Sequence, residues 1–215
     1  MTEQKDVMRT LLREHGRTYA AEAGIRLRDT PQPLYRTLVL AILLSARIQA
    51  SVAVSTSRAL YKAGLRDPRR MADATWQQRV DALGEGGYRR YDERTATQLG
   101  DGARLLLDDF GGDLRTLRKQ ADGDVAELRA LLRRTPGLGA TGADIFLREV
   151  QDVWTEYAPF LDRKALEGAE RLGLPQEPAA LTRLAKDASR AELAAALVRA
   201  ALDRRVADDC LARAR

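Results

Sequence analysis

One cysteine, Cys210, and one histidine, His15, are all that this 215-residue chain offers to disulfides and soft metals. A single cysteine excludes an internal disulfide framework and any four-cysteine cluster. A single histidine excludes a histidine-rich metal site and leaves no other histidine for a Ser-His triad. Aromatic residues are scarce, at 5%. The most apolar run, Leu38 to Leu44, falls far short of the ~20 residues that span a bilayer. The start, Met1 to Arg9, is polar and mixed in charge, without a signal-peptide pattern. No segment alternates as a strand does. These absences lead us to expect an all-α, soluble, cytoplasmic protein with no membrane partner. Cys210 stands at helical spacing from Leu202 and Val206, which predicts a packing role.

Basic charge, by contrast, is plentiful. Net charge is +5 and the pI about 9.6, which suits a polyanionic partner. Only Lys5, Lys62, Lys119, Lys164 and Lys186 are lysines; the rest of the 36 basic residues are arginines. Arginine makes permanently charged, bidentate phosphate contacts, although codon composition would give the same bias. Apolar period and turn residues divide the chain into helices. An amphipathic helix weakens at Gly16. A break at Asp29–Pro33 precedes a nearly all-apolar helix, Leu34 to Arg47. Gln49 to Lys62 follows. Thr75 caps Trp76 to Leu83, with Trp76, Val80 and Leu83 on one face. Arg94 to Phe110 carries a stripe of Leu99, Ala103, Leu106 and Phe110. Asp113 and Asp124 are helix caps. Beyond Asp162 come Arg163 to Leu172 and a last long helix beginning at Ser189 or Arg190.

The most informative stretch runs from Thr135 to Asp162. Pro136-Gly137-Leu138-Gly139 separates two helical segments. Pro136 stops the first, because it lacks an N–H and restricts the residue before it. Gly137 and Gly139 are expected to permit positive φ and close backbone approach. The amides of Gly139, Ala140 and Thr141 then open the second helix, where unpaired N–H groups and partial positive charge suit a phosphate. On the residues alone, an ordinary helix–helix turn accounts for the same pattern. Asp162 precedes a helix and reads equally as an N-cap.

Leu132-Arg133-Arg134-Thr135-Pro136-Gly137-Leu138-Gly139-Ala140-Thr141-Gly142-Ala143-Asp144 resembles the helix-hairpin-helix of the DNA glycosylases related to endonuclease III. Their hairpin reads L-P-G-V/I-G, then two variable residues, a small residue and Ala. About twenty residues on, that family carries an aspartate after a proline or glycine. Here Pro159-Phe160-Leu161-Asp162 stands at that place, and upstream Leu40-Ala41-Ile42-Leu43-Leu44-Ser45-Ala46 is similar to the family's apolar L-L-S-A helix. The likeness spans roughly residues 34 to 175.

The resemblance implies a two-domain helical fold with a cleft between the domains. Residues 34–150 would form a central bundle carrying the helix-hairpin-helix at about 124–150. Residues 1–33 and 151–215 would form a second, discontinuous domain. Asp162 becomes the catalytic carboxylate, a role compatible with capping. Pro136, Gly137, Leu138, Gly139, Ala140 and Thr141 become the phosphate-binding hairpin. Bifunctional relatives place a Schiff-base lysine where this chain has Thr141, so it would be monofunctional. Lys164, two residues past Asp162, points elsewhere on a helix. Tyr88, Arg89, Arg90 and Tyr91 would form a wedge loop. Arg47 or Gln49 would fill the gap left by a flipped base. Trp154 and Tyr157 are candidates for a base pocket, with core packing as the competing role, and Asp144 reads as a capping or exposed acid.

Many relatives carry an iron–sulfur cluster, for which one cysteine does not suffice. Many also hold potassium or sodium through hairpin carbonyls, which is implied here, with no other cofactor. The implied activity is hydrolysis of the N-glycosidic bond of a damaged or mismatched base in double-stranded DNA, by a monomer that is nucleoid-associated if bacterial. The alternatives are a non-catalytic helix-hairpin-helix DNA-binding protein derived from a glycosylase fold, and a helical interaction protein with no nucleic-acid role.

Overall fold

The computed structural model describes residues 2–213, and among these every regular element is helical, without strands. In chain order the helices are α1 (Thr2–His15), α2 (Tyr19–Glu22), α3 (Pro31–Ser45), α4 (Ala50–Lys62), α5 (Pro68–Asp73), α6 (Trp76–Glu85), α7 (Asp92–Phe110), α8 (Leu114–Ala121), α9 (Val125–Leu132), α10 (Ala140–Val150), α11 (Arg163–Arg171), α12 (Pro178–Leu184), α13 (Arg190–Leu202) and α14 (Arg204–Arg213). The fold class is all-α. No described helix is long and apolar enough to cross a membrane.

The chain divides into two compact units, a central one of residues 20–146 and a terminal one of 1–19 with 147–215. These divisions differ from those expected at 33/34 and 150/151. The segment after Tyr19 belongs with the central unit because arginines tie it there. Arg36 Nη2 donates to the Ala23 carbonyl at 3.5 Å, Arg58 donates to the Glu22 carbonyl, and Arg118 pairs with Asp29 at 2.7 Å. The second division falls inside α10, whose last turn is held within the terminal unit by Glu149 accepting from the Tyr19 amide and Arg148 pairing with Asp162.

In the central unit α3 is the axis. Pro31 and Pro33 sit in its first turn, where a missing N–H costs nothing. Leu34, Tyr35 and every residue from Thr37 to Leu43 are buried. The helix stops at Ser45, two residues earlier than expected, and the Ser45 hydroxyl donates back to the Ile42 carbonyl at 2.7 Å. Arg47 therefore lies on a short non-helical link to α4.

The Thr75 cap of α6 forms a full capping box with Gln78. Its buried face is Arg79, Ala82 and Leu83, not the expected Trp76–Val80–Leu83 stripe, and Trp76 is exposed. The sequence hides this because Arg79 reads as a surface cation. It is instead buried among carbonyls, donating to Ala96 at 2.8 Å, Met71 at 3.0 Å and Ala74 at 2.6 Å. It thereby staples α5, α6 and α7. Arg79→Met strands these acceptors, and since an orphaned buried polar group costs about 1–3 kcal/mol, we expect chemical denaturation to show at least about 3 kcal/mol of lost stability.

In the terminal unit Met8 and Leu11 of α1 pack with Ala165 and Ala169 of α11, Leu193 and Leu197 of α13, and Cys210 of α14. Burial pushes the Cys210 thiol pKa up, so it behaves as a small apolar side chain. Ser189 opens α13 with a second capping box, to Glu192. This helix is not the last. The chain breaks at Asp203 and continues as α14, which leaves Leu202 exposed instead of sharing a face with Cys210. The α11–α13 crossing is close enough that a Cβ on Gly168 would stand 1.9 Å from the Leu197 carbonyl oxygen.

Candidate nucleic-acid interface

The hairpin between α9 and α10 is a tight turn closed by the Leu138 amide donating to the Thr135 carbonyl at 3.0 Å. Gly137 has φ +84°, the left-handed region, whereas Gly139 does not. Only the first glycine is therefore demanded by backbone conformation. At Gly139 a Cβ would meet nothing within 4 Å, so this position faces open space beside the first turn of α10. The opening amides of any helix lack intrahelical acceptors, and here Ala140 and Thr141 are exposed. Leu138, in contrast, is buried. It is the hairpin's anchor, packed so closely on α10 that a Cβ on Gly142 would come within 2.7 Å of it and 3.5 Å of Ser45.

Two residues that the sequence reading passed over seat this turn on α7. A Cβ at Gly102 would approach the Thr135 methyl at 3.0 Å, and one at Gly137 would meet the Gln98 side chain at 3.0 Å. Asp144, read as a capping or exposed acid, joins the arms of the hairpin by pairing with Arg129 of α9 at 2.9 Å. Gly137→Ala adds a left-handed L-residue, worth about 1–2 kcal/mol, and pushes against Gln98. We expect a lowered melting temperature and weaker duplex binding from this one substitution.

Next to the turn is a cleft of about 390 Å3 in the central unit. Gly137 of the hairpin, Arg47 of the α3–α4 link, Tyr88 and Tyr91 of the α6–α7 loop, and Arg94 and Gln98 of α7 all line it. No carboxylate among the described residues does. Among the described residues neither Arg47 nor Arg94 is ion-paired, so both charges face an unneutralised cavity. Arg94 and Gln98 were missed because α7 reads as an amphipathic helix, and its exposed face gave no reason to single them out. Arg94→Gln is expected to reduce the slope of log affinity against log salt by about one, as measured by fluorescence anisotropy with a DNA duplex.

The expected loop residues differ in exposure. Tyr88 is buried, and its hydroxyl oxygen accepts from Thr95 at 3.2 Å. It supports the loop and is not a free wedge. Gly86, just after α6, is buried where a Cβ would stand 2.2 Å from the Thr56 Cα. Arg89 and Arg90 are exposed, and Arg90 lies over the Tyr91 ring at 5.4 Å. Tyr91 is thus the half-exposed aromatic of the loop. Gln49 is exposed at the start of α4 but does not line the cleft.

Asp162 belongs to the terminal unit. Its Oδ1 accepts the Ala165 amide at 3.1 Å as the N-cap of α11. Its Oδ2 accepts from Arg148 at 2.6 Å, and the two side chains are only 11% and 10% exposed. Gln151, fully buried, fixes the approach to this aspartate. Its amide donates to the Arg148 and Phe160 carbonyls, and its oxygen accepts the Phe160 amide at 2.8 Å. Sequence reasoning found neither Arg148 nor Gln151, because Arg148 lies on the apolar-rich second half of α10 and Gln151 directly follows that helix. Lys164 is pinned to Glu167 one turn along α11. Trp154 and Tyr157 are buried at 0% and 4% exposure, with ring centroids 6.3 Å apart. Both rings are thus closed off from solvent.

No protein-family model matches the chain, and no curated protein matches it. Among solved structures, the chain is similar to an endonuclease III trapped as a covalent intermediate with DNA in an estranged-adenine complex. The identity is 16% and the TM-score 0.47, over 75% of this chain and 70% of that one.

Proposed function

We propose that this chain is a monofunctional DNA glycosylase of base-excision repair, of the helix-hairpin-helix kind related to endonuclease III. What carries the reading is the meeting of three remote sequence segments in one cleft free of acids. Arg47, Tyr91 and Gly137, each assigned to DNA contact by resemblance, line it together with Arg94.

In this account the opening amides of α10 grip a backbone phosphate, and Arg47 and Arg94 add charge beside it. Asp162 serves the sugar. The C–N bond's electron pair leaves with the base, water oxygen bonds the anomeric carbon, and the carboxylate orients that water and takes up its proton. A carboxylate has roughly four acceptor positions. Ala165 and Arg148 occupy two of these, which leaves one on each oxygen for water or sugar. Thr141 offers no amine for a Schiff base, so the sugar–phosphate strand survives base release. A potassium or sodium ion would see main-chain oxygens alone. The Thr135 and Gly139 carbonyls already accept the Leu138 and Ala143 amides, so the ion would draw on their remaining lone pairs and on the Gly137 and Leu138 carbonyls. The partner is double-stranded DNA bearing one damaged or mismatched base, bound by a monomer.

One observation favours a second reading. Both Asp162 oxygens are already engaged and nearly buried, which also suits a purely structural cap in a non-catalytic DNA-binding protein. A duplex carrying a preformed abasic site tests the absence of a lyase nucleophile. With borohydride present we expect no covalent adduct and an uncut strand, together with salt-dependent binding. A trapped adduct would mean that some lysine does attack the sugar.

A further inference from the structure

The terminal unit holds a second cavity, of about 490 Å3, to which the glycosylase reading assigns nothing. Lys5 and Arg9 of α1 line it from one side, and Arg183 and Lys186, at the end of α12 and just beyond, from the other. Lys5 and Arg9 are four residues apart and so share a helix face. Among the described lining residues Asp187 is the one acid, and Leu12 also lines the recess. Lys5, Arg183 and Lys186 make no ion pair among the described residues, while Arg9 pairs with Asp6 at 3.0 Å. Four cations lining a recess with one carboxylate repel one another. A polyanion seated among them would relieve that repulsion and gain Coulomb energy from several charges at once.

We infer that this recess is an oligophosphate-binding site. Its volume far exceeds the ~30 Å3 share of a water molecule and accommodates several linked phosphoryl groups. The cations stand on two separate elements, as a chain of phosphates requires, instead of converging from one helix end. Two sources share this chemistry, a free polyphosphate or nucleotide and successive phosphodiesters of a nucleic-acid strand. The site does not depend on Asp162 or on the hairpin.

The test uses the full chain and two probes, inorganic triphosphate and an undamaged DNA duplex, titrated at low salt. Arg183→Glu/Lys186→Glu is compared with Arg204→Glu/Arg205→Glu, which changes net charge equally on the exposed start of α14. We expect the first variant to weaken binding of at least one probe by about tenfold or more, and the control to leave it within about twofold of the parent. Loss confined to triphosphate identifies a free oligophosphate site. Loss confined to the duplex, with a shallower salt slope, identifies a strand contact. Equal losses in both variants, or no loss in the first, would overturn the proposal. Melting curves of both variants confirm that they fold.

Discussion

Asp162→Asn abolishes base release, by on the order of a thousandfold or more, while duplex affinity stays within a few fold of the parent. Removing electrostatic stabilisation of a transition state costs about 10²–10³, and loss of the water-orienting base adds its own factor. The substitution suits the site, because asparagine caps a helix as well as aspartate does and keeps an oxygen for the Ala165 amide. What it removes is the charge opposite Arg148, with which Oδ2 now pairs at 2.6 Å. Some stability is lost with that charge, since breaking a buried pair costs up to about 3–5 kcal/mol. Arg148→Met separates the two effects. It removes the same ion pair from the other side but leaves the carboxylate. If Asp162 is catalytic, Arg148→Met retains much more activity than Asp162→Asn at equal folded fraction. If the two variants lose activity together and in proportion to stability, the pair is structural.

Gly168→Ala produces the largest loss of stability among single-methyl additions. The new carbon would stand 1.9 Å from the Leu197 carbonyl oxygen and 2.7 Å from its carbon, both of them backbone. No rotamer change relieves a clash with main chain, so α11 and α13 must separate. Overpacking costs about 1–3 kcal/mol when side chains yield, and we expect the upper end or beyond here. In a chain of this length that lowers Tm by roughly 6–12 °C. Gly84→Ala is the matched control. It lies within α6, and a Cβ there meets nothing within 4 Å. Alanine is favoured over glycine in a helix by about 1 kcal/mol, so Gly84→Ala should raise Tm slightly. Scanning calorimetry on the three proteins decides the matter.

These two glycines show what the sequence can and cannot convey. Both look like helix-weakening residues, yet one is a requirement of packing and the other is incidental. Periodicity reports which face of a segment is apolar. It does not report how near a distant backbone comes. For the same reason the α7 stripe, Leu99, Ala103, Leu106 and Phe110, was legible and is buried as expected. The capping residues Thr75, Asp113, Asp124 and Asp162 were also legible, because a cap is a local event between residues two or three apart, and each accepts a first-turn amide. Arg79, Tyr88 and Arg148 were not legible. Each is a polar or charged residue satisfied by partners that the chain brings from 5 to 17 positions away. Trp154 and Tyr157 were ambiguous in the same way, since an aromatic beside a motif serves a core as readily as a pocket.

The most direct measurement is a base-release panel. The protein is incubated with duplexes that each carry one uracil, hypoxanthine, alkylated, oxidised or mismatched base, and the products are run with and without hot alkali. We expect strand breaks for at least one substrate, appearing only after alkali and absent with Asp162→Asn. Breaks without alkali would contradict the reading of Thr141. Tight binding with no breaks on any duplex would contradict the glycosylase itself and leave a DNA-binding protein in which Asp162 caps a helix.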